Sequence, residues 1–96
     1  MKLYVDDIRR PPAGWALART VEEAIEKLDT GMVSELSLDY VIGYSAETNF
    51  TPVARHVASL PADKRPQVVY LHTSSSSGAR ELESILQGAV PRIVRL

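Results

Sequence analysis

The chain has no cysteine. That excludes a disulfide framework, a thiol nucleophile and a thiolate metal site. It has no run approaching the roughly 20 apolar residues of a membrane-spanning helix. It also lacks an excess of either charge. Eleven Lys and Arg stand against twelve Asp and Glu, a formal net charge of -1, which argues against bulk nucleic-acid binding or attraction to an anionic membrane. A strand-like pattern starts at Leu3, so no signal peptide is expected and a cytoplasmic location is the default. What remains is 96 residues, 45% hydrophobic and 24% charged. That describes one domain, 1–96, with a modest core.

Apolar spacing divides this domain into alternating elements. Leu3 to Val5 reads as a buried strand, Arg10-Pro11-Pro12 interrupts, and Trp15 to Arg19 reads as a second strand. Thr20 and Glu23 have capping-box spacing. They open a helix whose buried face is Val21, Ala24, Ile25 and Leu28, with Gly31 as its stop. Leu36 to Leu38 is the third strand, and Tyr40 to Asn49 is expected to be a loop. Thr51-Pro52 is expected to cap a helix carrying Val53, Ala54, Val57 and Leu60. Gln67 to Leu71 is the most β-branched strand. His72 to Ser77 is a polar turn, a helix spans 78–87 with Leu82, Ile85 and Leu86 inward, and Ile93 to Leu96 ends the sheet.

Strands alternating with helices imply an α/β fold with a parallel sheet and right-handed crossovers. The expected arrangement is flavodoxin-like, five mainly parallel strands in the order 2-1-3-4-5. Its three helices then fall on one face, and the other face is left without helices. Period-two alternation sends Tyr4, Ser37, Val68 and Tyr70 to that bare face. Parallel sheets are normally covered on both faces, so a homodimer through these residues is expected. The alternative is that Trp15 and the loop 9–14 fold over it.

Two strands end in carboxylates, Asp6-Asp7 and Asp39, at the sheet edge where ligands bind in such folds. Asp6, Asp7 and Asp39 together would suit a divalent cation, Mg²⁺ or Mn²⁺. His72 ends the strongest strand and can act as general acid or base. Thr73, Ser74 and Ser75 can hydrogen-bond phosphate oxygens. Arg9 can clamp a phosphate, and Arg80, in the first turn of the last helix, could face the same crevice. His56 shows no partner and reads as a surface residue.

The order Leu3-Tyr4-Val5-Asp6-Asp7-Ile8-Arg9, Gly14-Trp15, Arg19-Thr20-Val21-Glu22-Glu23-Ala24, Leu36-Ser37-Leu38-Asp39, His72-Thr73-Ser74 and Gly78-Ala79-Arg80 resembles the cyclic-phosphate processing receiver domain family. This is a compact relative of response-regulator receivers. The resemblance implies a receiver-like sheet without the first and last receiver helices. It also implies an acidic pocket and a role with nucleotides or other molecules bearing cyclic phosphates. Asp6, Asp7, Arg9, Asp39 and His72 match the family motifs. Two stretches depart from them. Tyr40-Val41-Ile42-Gly43 stands where the family usually has His-Asp-Leu-Gly, and Ser75-Ser76 stands where it has Asn-Pro.

Three functions follow as expectations. The first is a metal-dependent phosphoesterase acting on a cyclic nucleotide or a 2′,3′-cyclic phosphate. The second is a catalytically degenerate module that senses a nucleotide or phosphate or mediates assembly. The third, least favoured, is an aspartyl phosphoacceptor at Asp39, because only Arg95 stands where receivers place a lysine.

Overall fold

The computed structural model covers residues 1–96, leaving aside the side chains of Ser45 and Ala46. Its elements are β1 (Lys2–Val5), β2 (Ala16–Ala18), α1 (Val21–Leu28), β3 (Glu35–Leu38), β4 (Val41–Ile42), β5 (Ser45–Asn49), α2 (Thr51–Ser59), a 3₁₀ turn (Ala62–Lys64), β6 (Val68–Leu71), α3 (Ser76–Leu86) and β7 (Arg92–Arg95). Five strands form one parallel sheet in the order β2-β1-β3-β6-β7. With the β4–β5 hairpin set aside, this is the expected 2-1-3-4-5 order.

Leu3, Val5, Leu36, Leu38, Val69 and Leu71 point to one side of the sheet. They meet Ala24 and Leu28 of α1, Val53, Ala54 and Val57 of α2, and Leu82 and Leu86 of α3 in a single core. All three helices therefore cover one face, as right-handed crossovers stepping in one direction require. No helix is long and apolar enough to cross a membrane among the described residues.

Each helix start has a local cause. Thr20 Oγ1 accepts from Glu23 N at 3.1 Å, while the Glu23 carboxylate accepts from Arg19 N at 3.3 Å. The expected reciprocal box therefore reaches one residue further back than Thr20. The cap of α2 is Phe50, with Thr51 and Pro52 inside the first turn. The serine expected in a turn, Ser75, caps α3 by accepting from Gly78 N at 3.0 Å, so the helix starts two residues before Gly78.

The stretch 40–49, expected as a loop, instead forms a hairpin: β4 and β5 pair antiparallel, with Val41 opposite Asn49 and a register shift beside it. Gly43 sits at the turn with φ 70°, a left-handed conformation that glycine adopts without steric cost. The hairpin leads into Phe50, whose N–H donates to Tyr40 O at 2.8 Å.

Gly78 is fixed by what lies over it. A Cβ there would stand 2.4 Å from the Tyr40 ring. Gly→Ala inside a helix ordinarily gains up to about 1 kcal/mol. Here the overlap should reverse the sign and cost about 1–3 kcal/mol. Denaturant melts of Gly78→Ala check this, and a variant more stable than the parent would contradict the packing.

On the helix-free face, Tyr4 and Ser37 are buried (8% and 4% exposed) and Val68 nearly so at 9%. The chain itself covers them. The Trp15 ring stands edge-on to Tyr4 at 6.4 Å and to Tyr70 at 6.1 Å.

Candidate metal and phosphate site

Alternation along three adjacent strands carries through to the residues just past their ends. Val5, Leu38 and Leu71 face the core, so Asp6, Asp39 and His72 emerge on the helix-free side of the carboxyl edge. One ligating atom from each lies within 4.8 Å of the others. The acids from the beginning and middle of the chain therefore do meet at one rim.

Asp6 is fully buried. Its Oδ1 accepts the backbone N–H groups of Ile8 (3.0 Å) and Arg9 (2.9 Å), and its Oδ2 lies 3.0 Å from His72 Nε2. Burial works to raise its pKa, but the two backbone donors and His72 prevail and hold the carboxyl below its ordinary value. Asp39 shows the opposite balance. Burial, foremost, and the nearby Asp6 charge push its carboxyl up, although Tyr40 N donates to its Oδ1 at 2.7 Å.

His72 is 8% exposed and bonded at both ring nitrogens. Nε2 faces Asp6, and Nδ1 lies 2.7 Å from Ser37 Oγ. The hydroxyl can donate or accept. One arrangement is Ser37 O–H to Nδ1 with Nε2–H to Asp6. The other is Nδ1–H to Ser37, leaving the Nε2 lone pair facing Asp6 Oδ2. The Tyr4 ring stacks on the imidazole, 4.4 Å between centroids and 6° between planes. In the sequence Ser37 and Tyr4 read only as face residues; the signal that places them here is their position two residues before Asp39 and Asp6.

The other expected site residues are distributed around this group. Asp7 lies outside it: its Oδ2 accepts from Gly43 N at 2.7 Å and ties the hairpin to the loop after β1. Successive side chains at a strand end point apart, so His72, not Asp7, completes the trio. Arg9 stands at the rim. Its Nη1 donates to His72 O at 3.3 Å, and its Nε is 4.0 Å from Asp6 Oδ2. Arg19, a residue without an expected role, donates to Arg9 O at 2.8 Å and braces that loop. Thr73 bonds the Asp39 carboxylate and accepts from Ser75 N at 3.1 Å. Ser75 is engaged as the α3 cap, while Ser74 and Arg80 are exposed. Arg95 pairs with Glu83 at 3.1 Å. His56, expected to lack a partner, bonds Asp29 at 2.6 Å.

Tyr40, where the family motif has histidine, turns inward. It is 8% exposed, packs on Gly78 and donates to Glu81 at 2.7 Å.

The sequence profile described as the cyclic-phosphate processing receiver domain matches residues 1–88. The chain belongs to that family. No curated protein and no solved structure matches it. In this receiver-like domain the resemblance read from Asp6, Asp39 and His72 thus coincides with a cluster in space. A cavity of about 610 Å³ lies elsewhere, between Arg19, Ile42 and Pro52, and none of the three residues lines it. A smaller one of about 310 Å³ does include His72. Chemistry outweighs size here, and the site is assigned to the cluster.

The cluster makes acid stability a readout of His72. Burial, first, and the Arg9 charge hold its pKa below the ordinary 6.5, against the raising influence of Asp6 and Asp39. The unfolded chain takes up this proton at higher pH than the folded one. The contribution of neutral His72 is therefore complete above the ordinary value and lost as pH falls below it toward the folded value. Asp6, also held low, adds its loss only at more acidic pH. Asp39, held high, acts in the opposite sense. Thermal melts from about pH 7.5 to 5.5 should show falling Tm, with a flatter profile in His72→Gln. Equal slopes in both would contradict the assignment.

Proposed function

We propose that this domain opens a cyclic phosphate ester with the help of a divalent cation held by Asp6, Asp39 and His72. The observation that carries the reading is the approach of three ligating atoms to within 4.8 Å. The donor set fits such an ion. Carboxylates suit Mg²⁺ and Mn²⁺ alike, whereas an imidazole nitrogen favours the transition metal, so Mn²⁺ is the better match. When bound, the cation would supply positive charge opposite the phosphate and an activated water.

The chain's own residues supply the rest. Ser37 and the Tyr4 ring hold the His72 imidazole in place. Arg9, with its side chain 55% exposed at the rim, offers a planar fork for two phosphate oxygens. Thr73 keeps Asp39 oriented.

The test is ³¹P NMR after incubation with Mn²⁺ or Mg²⁺ and a panel of cyclic mononucleotides, cyclic dinucleotides and 2′,3′-cyclic phosphates. At least one ring-opened product is expected, stronger with Mn²⁺ and absent in His72→Gln. Saturable binding without any product would support a second reading, a binding module. The observation favouring that reading is that positions 40 and 41 serve the core and the hairpin rather than the rim.

A second copy of the chain, paired through the helix-free face, is the alternative occupant of that face to a ligand. With Tyr4 and Ser37 covered, the surface available to it is the half-buried Trp15, Leu17, Tyr70 and Val94. Light scattering at micromolar concentration tests it, and a monomer mass would reject it.

A further inference from the structure

We infer that the 310 Å³ pocket on the helix-free face receives the flat base of a nucleoside cyclic phosphate. The inference rests on the phosphate reading above and narrows its substrate class. The pocket floor is a row of three residues in register across adjacent strands, Tyr4, Ser37 and Tyr70. Ser37 and Tyr4 are the pocket's deep, nearly covered end, and the half-buried Trp15 and Tyr70 are its open part. Trp15 stands over this row, its plane at 80° to Tyr4 and 72° to Tyr70. Pro12 and Leu96 form the mouth.

The chemistry of the walls selects the occupant. The two polar side chains lining the pocket, Ser37 and His72, are bonded to one another at 2.7 Å. A sugar hydroxyl or a phosphate placed there would lose water and find few partners. A flat heteroaromatic ring loses little and gains contacts with aromatic rings.

Continuity with the acidic cluster supplies the second constraint. His72 lines the pocket and also belongs to the Asp6–Asp39–His72 group. A ligand filling both carries an aromatic ring joined over a short distance to an anionic group. A nucleoside cyclic phosphate has that construction, whereas an inositol or glycerol cyclic phosphate has only the anionic half.

Trp15 is the sole tryptophan and lies in the pocket wall, so its emission reports the site directly. The wild-type chain is titrated with adenosine, which has the base but no phosphate, and separately with glycerol 1,2-cyclic phosphate. Adenosine should change Trp15 emission saturably with or without Mn²⁺. Tyr70→Leu should weaken the response at least about tenfold, and Leu96→Asp, a substitution at the exposed mouth, should weaken it with no risk to the core. The base-free cyclic phosphate should bind far more weakly than adenosine 2′,3′-cyclic phosphate.

Silence of Trp15 toward adenosine, with equal affinity for the two cyclic phosphates, would overturn the inference and leave the phosphate reading intact. An adenosine response with no turnover of any cyclic phosphate would uphold the pocket and remove the proposed reaction. Trp15 emission that changes with protein concentration instead of nucleoside would assign the pocket to a second copy of the chain and overturn the inference.

Discussion

Replacing Asp6 by asparagine is expected to lower Mn²⁺ affinity at least about a hundredfold, since loss of a direct ligand should exceed the 10–100-fold cost of losing an outer partner. The fold should survive. The asparagine oxygen can still accept from Ile8 N and Arg9 N, as Asp6 Oδ1 does. Its amide group would then face His72 Nε2. That contact is satisfied if the imidazole moves its proton to Nδ1 and donates to Ser37 Oγ, the second arrangement open to that pair. Charge is therefore removed with little change of shape, and the amide also occupies the Nε2 lone pair, so loss of binding reports on the Asp6–His72 pair together. Asp7→Asn is the control. Its carboxylate serves Gly43 N outside the cluster, so its loss should cost less than about tenfold. Calorimetric titration with Mn²⁺ measures both. Equal losses would mean that the cation sits between the two neighbouring acids and not at His72.

The largest effect on stability is expected at Phe50. It is the sole phenylalanine, is fully buried, and heads the group of largest fully buried side chains. Truncation to alanine should cost about 3–5 kcal/mol, from lost transfer energy and the cavity left behind. Whole domains are stable by only about 5–15 kcal/mol. For a chain of this length the midpoint should fall by more than about 12 °C. Position makes the cavity hard to close. The Phe50 backbone bonds Tyr40 on one side and accepts from Val53 N, in α2, on the other, so neither the hairpin nor the helix can move in without breaking those bonds. Tyr40 in turn adjoins Asp39, so Phe50→Ala should also weaken Mn²⁺ binding at temperatures where it is still folded. Calorimetric melting and a cool Mn²⁺ titration check the two parts. A midpoint shift of only a few degrees would mean that the site collapses easily.

The sheet was legible because its signals are local. Short apolar runs ending in polar residues marked β1, β3 and β6; the flavodoxin-like arrangement supplied their order, and handedness put the three helices on one face. Period-two alternation also placed Tyr4, Ser37, Val68 and Tyr70 on one face. Carried one step further, the same alternation separates Asp6 from Asp7, because neighbouring side chains diverge. The hairpin left no comparable trace: Val41 and Ile42 are β-branched, but two residues paired across a register shift with Ser45–Asn49 are too short to show a period. The inward turn of Tyr40 depends on Gly78 and Glu81, about forty residues away, and no local pattern encodes that contact. His56 and Asp29 meet for the same reason, through packing of α1 against α2.

The two outermost strands bear on how the molecule behaves when concentrated. β2 is three residues long, and β7 follows Pro91 and begins and ends in arginine. Brief, charge-flanked borders are poor templates for an incoming chain and disfavour fibrillar growth. The domain can therefore carry an aromatic, half-open surface on its broad side while its hydrogen-bonding margins remain guarded.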